Sequence, residues 1–331
     1  MPVEAAAPDW FLNDEGTRLH TRVIAPSAKQ ARLIVFFAHR IGLHSNRKSI
    51  VAFAEKLAEQ SIAVVLLDYT HHGYSGGQPG ELKSFKRVLD DFELSIAMFA
   101  LGHIYNMGSN QAHILQGVEE GEELLQKMAQ LPFAVMGEST GAQVALAAGM
   151  RLMRRRGCPE RFLGAVLIAG SFIMPKTTAW GGMISTVMDS VQRWSGSSSG
   201  RSSSSSGESS VMASQAVKDK WRKPDLLWPW DIHEIEANDP LAWGELSEET
   251  LEEIGRMISA VRGRYDRLNF PFMVIHDPHD GAAPYKAVKE LLEGAPEHDV
   301  MDGRKVVECR GGMHDPITNA PGEGKSDEDR S

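Results

Sequence analysis

Short β-branched or apolar runs recur along the chain at wide spacing. They are Leu33–Phe37, Ala63–Leu67, Phe133–Met136, Leu163–Ile168, Phe272–Ile275 and Val306–Cys309. Runs that are apolar at successive positions, rather than at alternate ones, suit strands buried on both faces of a parallel sheet. Between them, helical stretches are read at about 48–60, 84–105, 112–129, 142–155 and 285–293. Strands alternating with helices predict a doubly wound, mostly parallel α/β sheet. The early run Leu19–Ile24 alternates apolar with polar, as an antiparallel edge strand does.

The alternation breaks between residues 171 and 268. This stretch holds Pro175, the tryptophan-rich Leu227–Trp230 and a long helical pattern from Ser247 to Arg262. Ser247 is placed to cap that helix, and Glu248 and Glu249 suit its positive end. The stretch reads as a helical cap inserted into the sheet domain. Within it, residues 195–210 are serine- and glycine-rich and read as a disordered loop. The division is therefore a first core part over 10–170, a cap over 171–268, a second core part over 269–318 and an unordered tail over 319–331.

Composition narrows the class of function. Of 331 residues, 42% are hydrophobic and 24% charged, ordinary values for a globular protein. The net charge of −9 argues against a nucleic-acid partner. Two cysteines, Cys158 and Cys309, give no disulfide framework. The N-terminus has neither a basic region nor a long apolar core, so no signal peptide is read, and no run approaches the roughly 18 apolar residues that span a bilayer. The expectation is a cytoplasmic protein.

The chemistry-bearing segment is Gly137-Glu138-Ser139-Thr140-Gly141, a G-x-S-x-G run. It follows an apolar strand and opens the alanine-rich helix from Ala142, the context a nucleophile elbow requires. A second match, Gly196–Gly200, has neither strand nor helix beside it and reads as a chance match in the linker. A serine hydroxyl needs a base and an orienting acid. After the strand at 272–275 comes His276-Asp277-Pro278-His279-Asp280, and after that at 306–309 comes Arg310-Gly311-Gly312-Met313-His314. Asp280 is the candidate acid, Asp277 its fallback and His314 the candidate base. The blander readings are a turn aspartate, a solvated loop histidine and a metal cluster at 276–280, which lacks a second ligand group at usual spacing. An oxyanion needs two backbone N–H groups. Thr140 offers one, and Ile41, in the loop after the strand at 33–37, offers the other by position.

Together these motifs resemble the monoglyceride lipase/lysophospholipase-like branch of the α/β-hydrolases. Gly16–His20 resembles the family's first hairpin, and His39-Arg-Ile-Gly-Leu-His-Ser45 its H-G-x-G-E-H-S oxyanion loop. Asp68–Gly76 resembles its D-x-x-G-H-G-x-S-x-G turn, Asn238–Leu241 the segment returning from the cap, and 276–280 and 312–314 the acid and histidine loops. The resemblance implies a serine hydrolase that cleaves carboxylic esters without cofactor or metal, acting on monoacylglycerol or lysophospholipid. Arg40 and His71 stand where the family carries glycine. A side chain at position 40 predicts strain if the loop needs a positive φ there. These two departures motivate a competing reading, a catalytically silent member that binds a ligand or partner.

Trp180, Met183, Ile184, Val187, Met188, Val191 and Trp194 fall on one face of a predicted helix. It reads as a cap helix over the site, or as a lid meeting a membrane surface peripherally. Met183, Val187 and Met188 are the candidate substrate-binding residues, since methionine suits a plastic acyl-chain pocket.

Overall fold

The structure, a computed structural model, describes residues 3–4, 9–26, 31–100, 127–155, 160–173, 239–243, 246–280, 282–296, 304–312 and 314–319. The predicted cap helix with Met183, Val187 and Met188, the serine-rich loop and most of the predicted helix at 112–129 and of the tail lie outside these residues.

The strands are β1 (Val3–Glu4), β2 (Trp10–Leu12), β3 (Arg18–Ala25), β4 (Leu33–Ala38), β5 (Ile62–Leu67), β6 (Phe133–Glu138), β7 (Phe162–Ile168), β8 (Phe272–His276) and β9 (Arg304–Glu308). They form one sheet in the order β1-β3-β5-β4-β6-β7-β8-β9, with β2 paired to β3. Pairing is parallel from β5 through β9 and antiparallel where β3 meets β1, β2 and β5. The fold is the expected α/β-hydrolase sheet. One expectation is corrected: β3 is not an edge strand, because β1 and β2 pair along its outer side. Strands of two and three residues are too short to leave a periodic signal.

The helices are α1 (Lys48–Glu59), α2 (Phe85–Phe99), α3 (Gly141–Leu152), α4 (Glu248–Arg262), α5 (Tyr285–Gly294) and α6 (Pro316–Asn319). Successive strand residues point to opposite faces, and the core divides accordingly. Val35, Phe37, Val64 and Leu66 pack with Ile50, Ala54 and Ala58 of α1. Ile34, Phe36, Val65 and Val135 face the larger cluster, which takes in α2, α3, α4 and α5. Continuous apolar strands are thus explained by cover on both faces. Helix α4 lies in the stretch that the sequence reading gives to the cap. Its Ile254, Met257, Ile258 and Val261 join the main core, and the Ser247 side chain accepts from the Thr250 N–H as its N-cap.

The chain runs from β4 to β5 on one side and then crosses to β6 on the other. The carboxyl ends of β4 and β6 therefore flank a topological switch point, where open α/β sheets open a crevice.

Candidate active site

Ser139 follows β6 directly, with a backbone φ of +54°. That left-handed conformation is costly for a residue with a side chain. It is held by the Ser139 N–H donating to the Ile168 carbonyl at 2.9 Å and by the turn into α3. Both flanking glycines are sterically required. A Cβ on Gly137 would lie 2.2 Å from the Gly141 carbonyl oxygen, and one on Gly141 would lie 2.1 Å from the Ala38 carbonyl oxygen. The motif's glycines let the elbow pack against itself and against the end of β4.

The loops after β8 and β9 bring two further side chains to this serine. His314 Nε2 lies 2.8 Å from Ser139 Oγ, and His314 Nδ1 lies 2.8 Å from Asp280 Oδ2. Asp280 Oδ1 accepts the N–H groups of Ala282 and Ala283 at 2.8 and 2.9 Å, which fixes the carboxylate. An acceptor-only carboxylate on Nδ1 assigns the proton to that nitrogen and leaves Nε2 to accept from the serine. Asp277 accepts the His279 N–H at 2.8 Å, and Asp280 is the candidate acid found on His314. His276 donates from Nε2 to the Ala283 carbonyl at 2.7 Å, and burial pushes its pKa down. Among the described residues, no group of three or more His, Cys, Asp or Glu is arranged to hold a metal ion. Ser171 Oγ lies 3.1 Å from Ser139 Oγ, a neighbour that sequence reasoning missed. Its carbonyl accepts from Gln143 Nε2 at 2.8 Å, which anchors it to α3.

The loop after β4 folds back over the elbow. The Ile41 N–H donates to Thr140 Oγ1 at 2.8 Å, so the two residues predicted to supply oxyanion donors touch each other. The Leu43 N–H donates to the Arg40 carbonyl at 3.0 Å, closing a turn in which Gly42 has a φ of +85°. The left-handed position of this turn is thus Gly42. Arg40 is not among the described residues with positive φ, and the strain expected of its side chain is corrected accordingly. His71, the other departure from glycine, does take a φ of +70°. It is held there by its N–H to the Gly76 carbonyl and by the Gln78 N–H donating to its Nδ1.

The loop after β4 rests on a buried histidine layer. The Gly42 N–H donates to His72 Nε2 at 3.1 Å, and His72 Nδ1 reaches the Thr70 carbonyl at 3.0 Å. His72 is therefore neutral. Burial, followed by the nearby His39, lowers its pKa to about 3. Burial likewise lowers His39 to about 4. Trp243 stacks on His72 at 4.1 Å, and the Trp243 backbone N–H donates to the Gly42 carbonyl at 2.7 Å. Asp239 meets His44 at 2.8 Å, so the segment at 239–243 also holds the loop.

Asp68 braces the same loop from β5. Its carboxylate accepts the Ser45 N–H and hydroxyl, both at 2.7 Å, and the Tyr74 N–H at 3.0 Å. Burial alone would raise its pKa, but His20, the His39 charge and Ser45 outweigh burial and hold it low.

Comparison with known proteins places this geometry. The family described as serine aminopeptidase, S33, matches residues 29–319. The Saccharomyces cerevisiae monoglyceride lipase, a soluble variant in complex with a substrate analogue, superposes with a TM-score of 0.64 at 11% identity, covering 97% of this chain and 91% of that one. The Paleococcus ferrophilus monoacylglycerol lipase gives 0.51 at 16% identity, covering 95% and 90%. Est1E from Butyrivibrio proteoclasticus, with ferulic acid bound, gives 0.51 at 16% identity, covering 92% and 90%. A quorum-quenching protein, AidA of Acinetobacter baumannii, is 33% identical over 95 residues, which are 29% of this chain and 31% of that protein. At these identities the structural likenesses establish the fold, and the family match extends over most of the chain. The chain belongs to the S33 serine aminopeptidase-like family of α/β-hydrolases.

Proposed function

We propose that this protein is a serine hydrolase that cleaves carboxylic esters through an acyl-enzyme. The observation that carries the reading is the relay in which Ser139 Oγ, His314 and Asp280 are joined by two 2.8 Å contacts at a left-handed serine. Ser139 attacks the ester carbonyl while His314 Nε2 takes its proton. Asp280 holds His314 in the required tautomer and stabilises the imidazolium. The N–H groups of Thr140 and Ile41 receive the oxyanion. His314 then passes its proton to the leaving alkoxide and activates the water that releases the acid.

The proposed substrate is an ester with an apolar acyl chain, monoacylglycerol or lysophospholipid, with peripheral lipid contact through the predicted helix at 180–194. Its support is the set of ordered motifs in the sequence, together with two similar structures that are monoglyceride and monoacylglycerol lipases. The match to a quorum-quenching protein favours a second reading, in which the ester belongs to a small signalling molecule.

A fluorophosphonate probe tests the chemistry. Labelling at Ser139 that Ser139→Ala abolishes supports it, and an unlabelled wild type would leave the silent, ligand-binding alternative. Turnover compared across p-nitrophenyl esters from acetyl to palmitoyl, a monoacylglycerol, a lysophospholipid, an N-acyl lactone and an aminoacyl anilide tests the substrate. Preference for the anilide would remove the ester reading, and preference for the lactone would select the signalling one.

A further inference from the structure

Three buried charged side chains lie beside the site and take no part in the proton relay. Arg47, at the N-cap of α1, places Nη1 at 3.1 and 3.4 Å from the two carboxylate oxygens of Glu138. Its Nη2 lies 2.9 Å from Asp315 Oδ2. Arg47 is 7% exposed and both carboxylates are fully buried. Glu138 immediately precedes Ser139, and Asp315 immediately follows His314. One planar guanidinium therefore spans the residue before the nucleophile and the residue after the base.

We propose that Arg47 is a positioning residue that clamps the nucleophile elbow and the histidine loop at their catalytic separation. This inference rests on the serine hydrolase reading and adds to it the device that sets the distance. The elbow ends a central strand, whereas the histidine loop leaves β9, whose Lys305, Val307 and Glu308 are exposed. Ser139 and His314 are 175 positions apart in sequence and meet across a 2.8 Å contact. Covalent bonds from Ser139 to Glu138 and from Asp315 to His314, closed by the two arms of Arg47, form a ring around that contact. The two arms need two N–H groups diverging from a rigid plane. Lysine carries the same charge on a single point and cannot reproduce that fork. Displacing reacting groups by about 1 Å costs a rate factor of about 10², so a loosened ring is read in the rate.

Arg47→Lys is the first test, read as the rate of fluorophosphonate labelling per folded molecule, with folding followed by near-ultraviolet circular dichroism. The rate is expected to fall about 10-fold or more. On a short p-nitrophenyl ester kcat should fall with it while KM stays within about twofold, because the clamp orders reacting groups and does not hold substrate. A lowered melting temperature with an unchanged labelling rate in the folded fraction would overturn the proposal and leave Arg47 a purely structural residue. If Arg47→Lys does not fold, Glu138→Gln, Asp315→Asn and their double variant decide. Both changes cut the same ring, so the double variant should lose much less than the product of the two single losses. Independent, multiplying losses would overturn the clamp. An unlabelled wild type would remove the hydrolase reading and this inference with it, whereas a labelled wild type with an equally reactive Arg47→Lys removes only the clamp.

Discussion

Ser139 and His314, the proposed nucleophile and base, are held in place by different physics. Ser139 follows β6, which is flanked by β4 and β7 and buried along its whole length. Its position is set by backbone packing, with no room for a Cβ on either flanking glycine. His314 comes from a loop on the outermost strand, and its position is set by polar side chains: Asp280 on the imidazole itself and Arg47 on the adjoining Asp315. A sterically placed group tolerates no change of shape. A group placed by hydrogen bonds tolerates small changes of shape but no loss of a charge or an acceptor.

The largest expected effects remove members of the relay. Ser139→Ala should lower ester turnover by about 10⁴-fold or more while the thermal transition stays in place. Asp280→Asn should cost about 10⁴-fold, because an amide no longer imposes the tautomer that leaves Nε2 as acceptor. Asp277→Asn, which alters the turn at His279, should cost less than about 10-fold. Steady-state kinetics of the three variants decide, and a larger loss at Asp277 than at Asp280 would reverse the assignment of the acid.

The next effect contrasts the two modes of placement directly. Gly141→Ala drives a Cβ to 2.1 Å from a backbone oxygen at the end of β4, where nothing flexible can give. It should destabilise by about 3 kcal/mol and remove fluorophosphonate labelling. Gly312→Ala in the histidine loop brings its Cβ to 3.0 Å from Cys309 Sγ and 3.1 Å from the Cys309 carbonyl oxygen and Pro316 Cα, tight contacts that a few tenths of an ångström of movement relieve. A cost of about 1 kcal/mol with most labelling retained is expected there. Chemical denaturation of both variants gives the comparison, and equal costs would show that the histidine loop is as sterically fixed as the elbow.

What could be read in advance follows the same division. Steric placement leaves glycines at fixed spacing, so the elbow was legible in Gly137–Gly141. Double-sided burial leaves continuous apolar runs, so β4 to β8 were legible to within a residue or two, whereas β9, exposed at Lys305, Val307 and Glu308, was legible only from its short Val306-Val307 run. Polar placement leaves little trace. Arg47 lies 91 positions from Glu138 and 268 from Asp315, and each alone reads as a solvated charge. Asp280 stood out over Asp277 only by loop position, and the two N–H groups that fix it are invisible in sequence. Arg40 misled because the loop's left-handed residue is two positions on, at Gly42. Helix α4 shows the pattern of one buried face whether it covers a cap or a core, so its place beside α2 and α3 came from tertiary packing.

A pH experiment probes the histidine layer beneath the oxyanion loop. Burial holds His39 near 4 and His72 near 3, against about 6.5 in an unfolded chain. Between those values the unfolded state binds more protons, so stability rises with pH across the window. The contribution of this layer is fully present above about pH 6.5 and is lost as pH falls through about 4 and then 3. The melting temperature should therefore drop steadily from pH 6.5 downward, and His72→Asn should flatten that slope while lowering stability at pH 7. A variant with the slope of the wild type would mean that His72 is already protonated in the folded protein, against its acceptor role toward Gly42.

The smallest expected effect lies where the two predicted oxyanion donors meet. In the free protein the Ile41 N–H is occupied by Thr140 Oγ1 at 2.8 Å. An oxyanion must displace that hydroxyl to use the donor, and a hydrogen bond of this kind is worth about 1 kcal/mol net. Thr140→Val keeps the shape and removes the competing acceptor, so kcat/KM on a neutral ester should rise about fivefold, the rate equivalent of about 1 kcal/mol. Thr140→Ser retains the acceptor and should match the wild type. The opposite result is also physical, since the hydroxyl could instead hold the Ile41 N–H in line for the substrate. A fall in kcat/KM for Thr140→Val, with Thr140→Ser unchanged, would assign it that role. The oxyanion loop would then share the histidine loop's dependence on a polar side chain, although it lies on the nucleophile's side of the sheet.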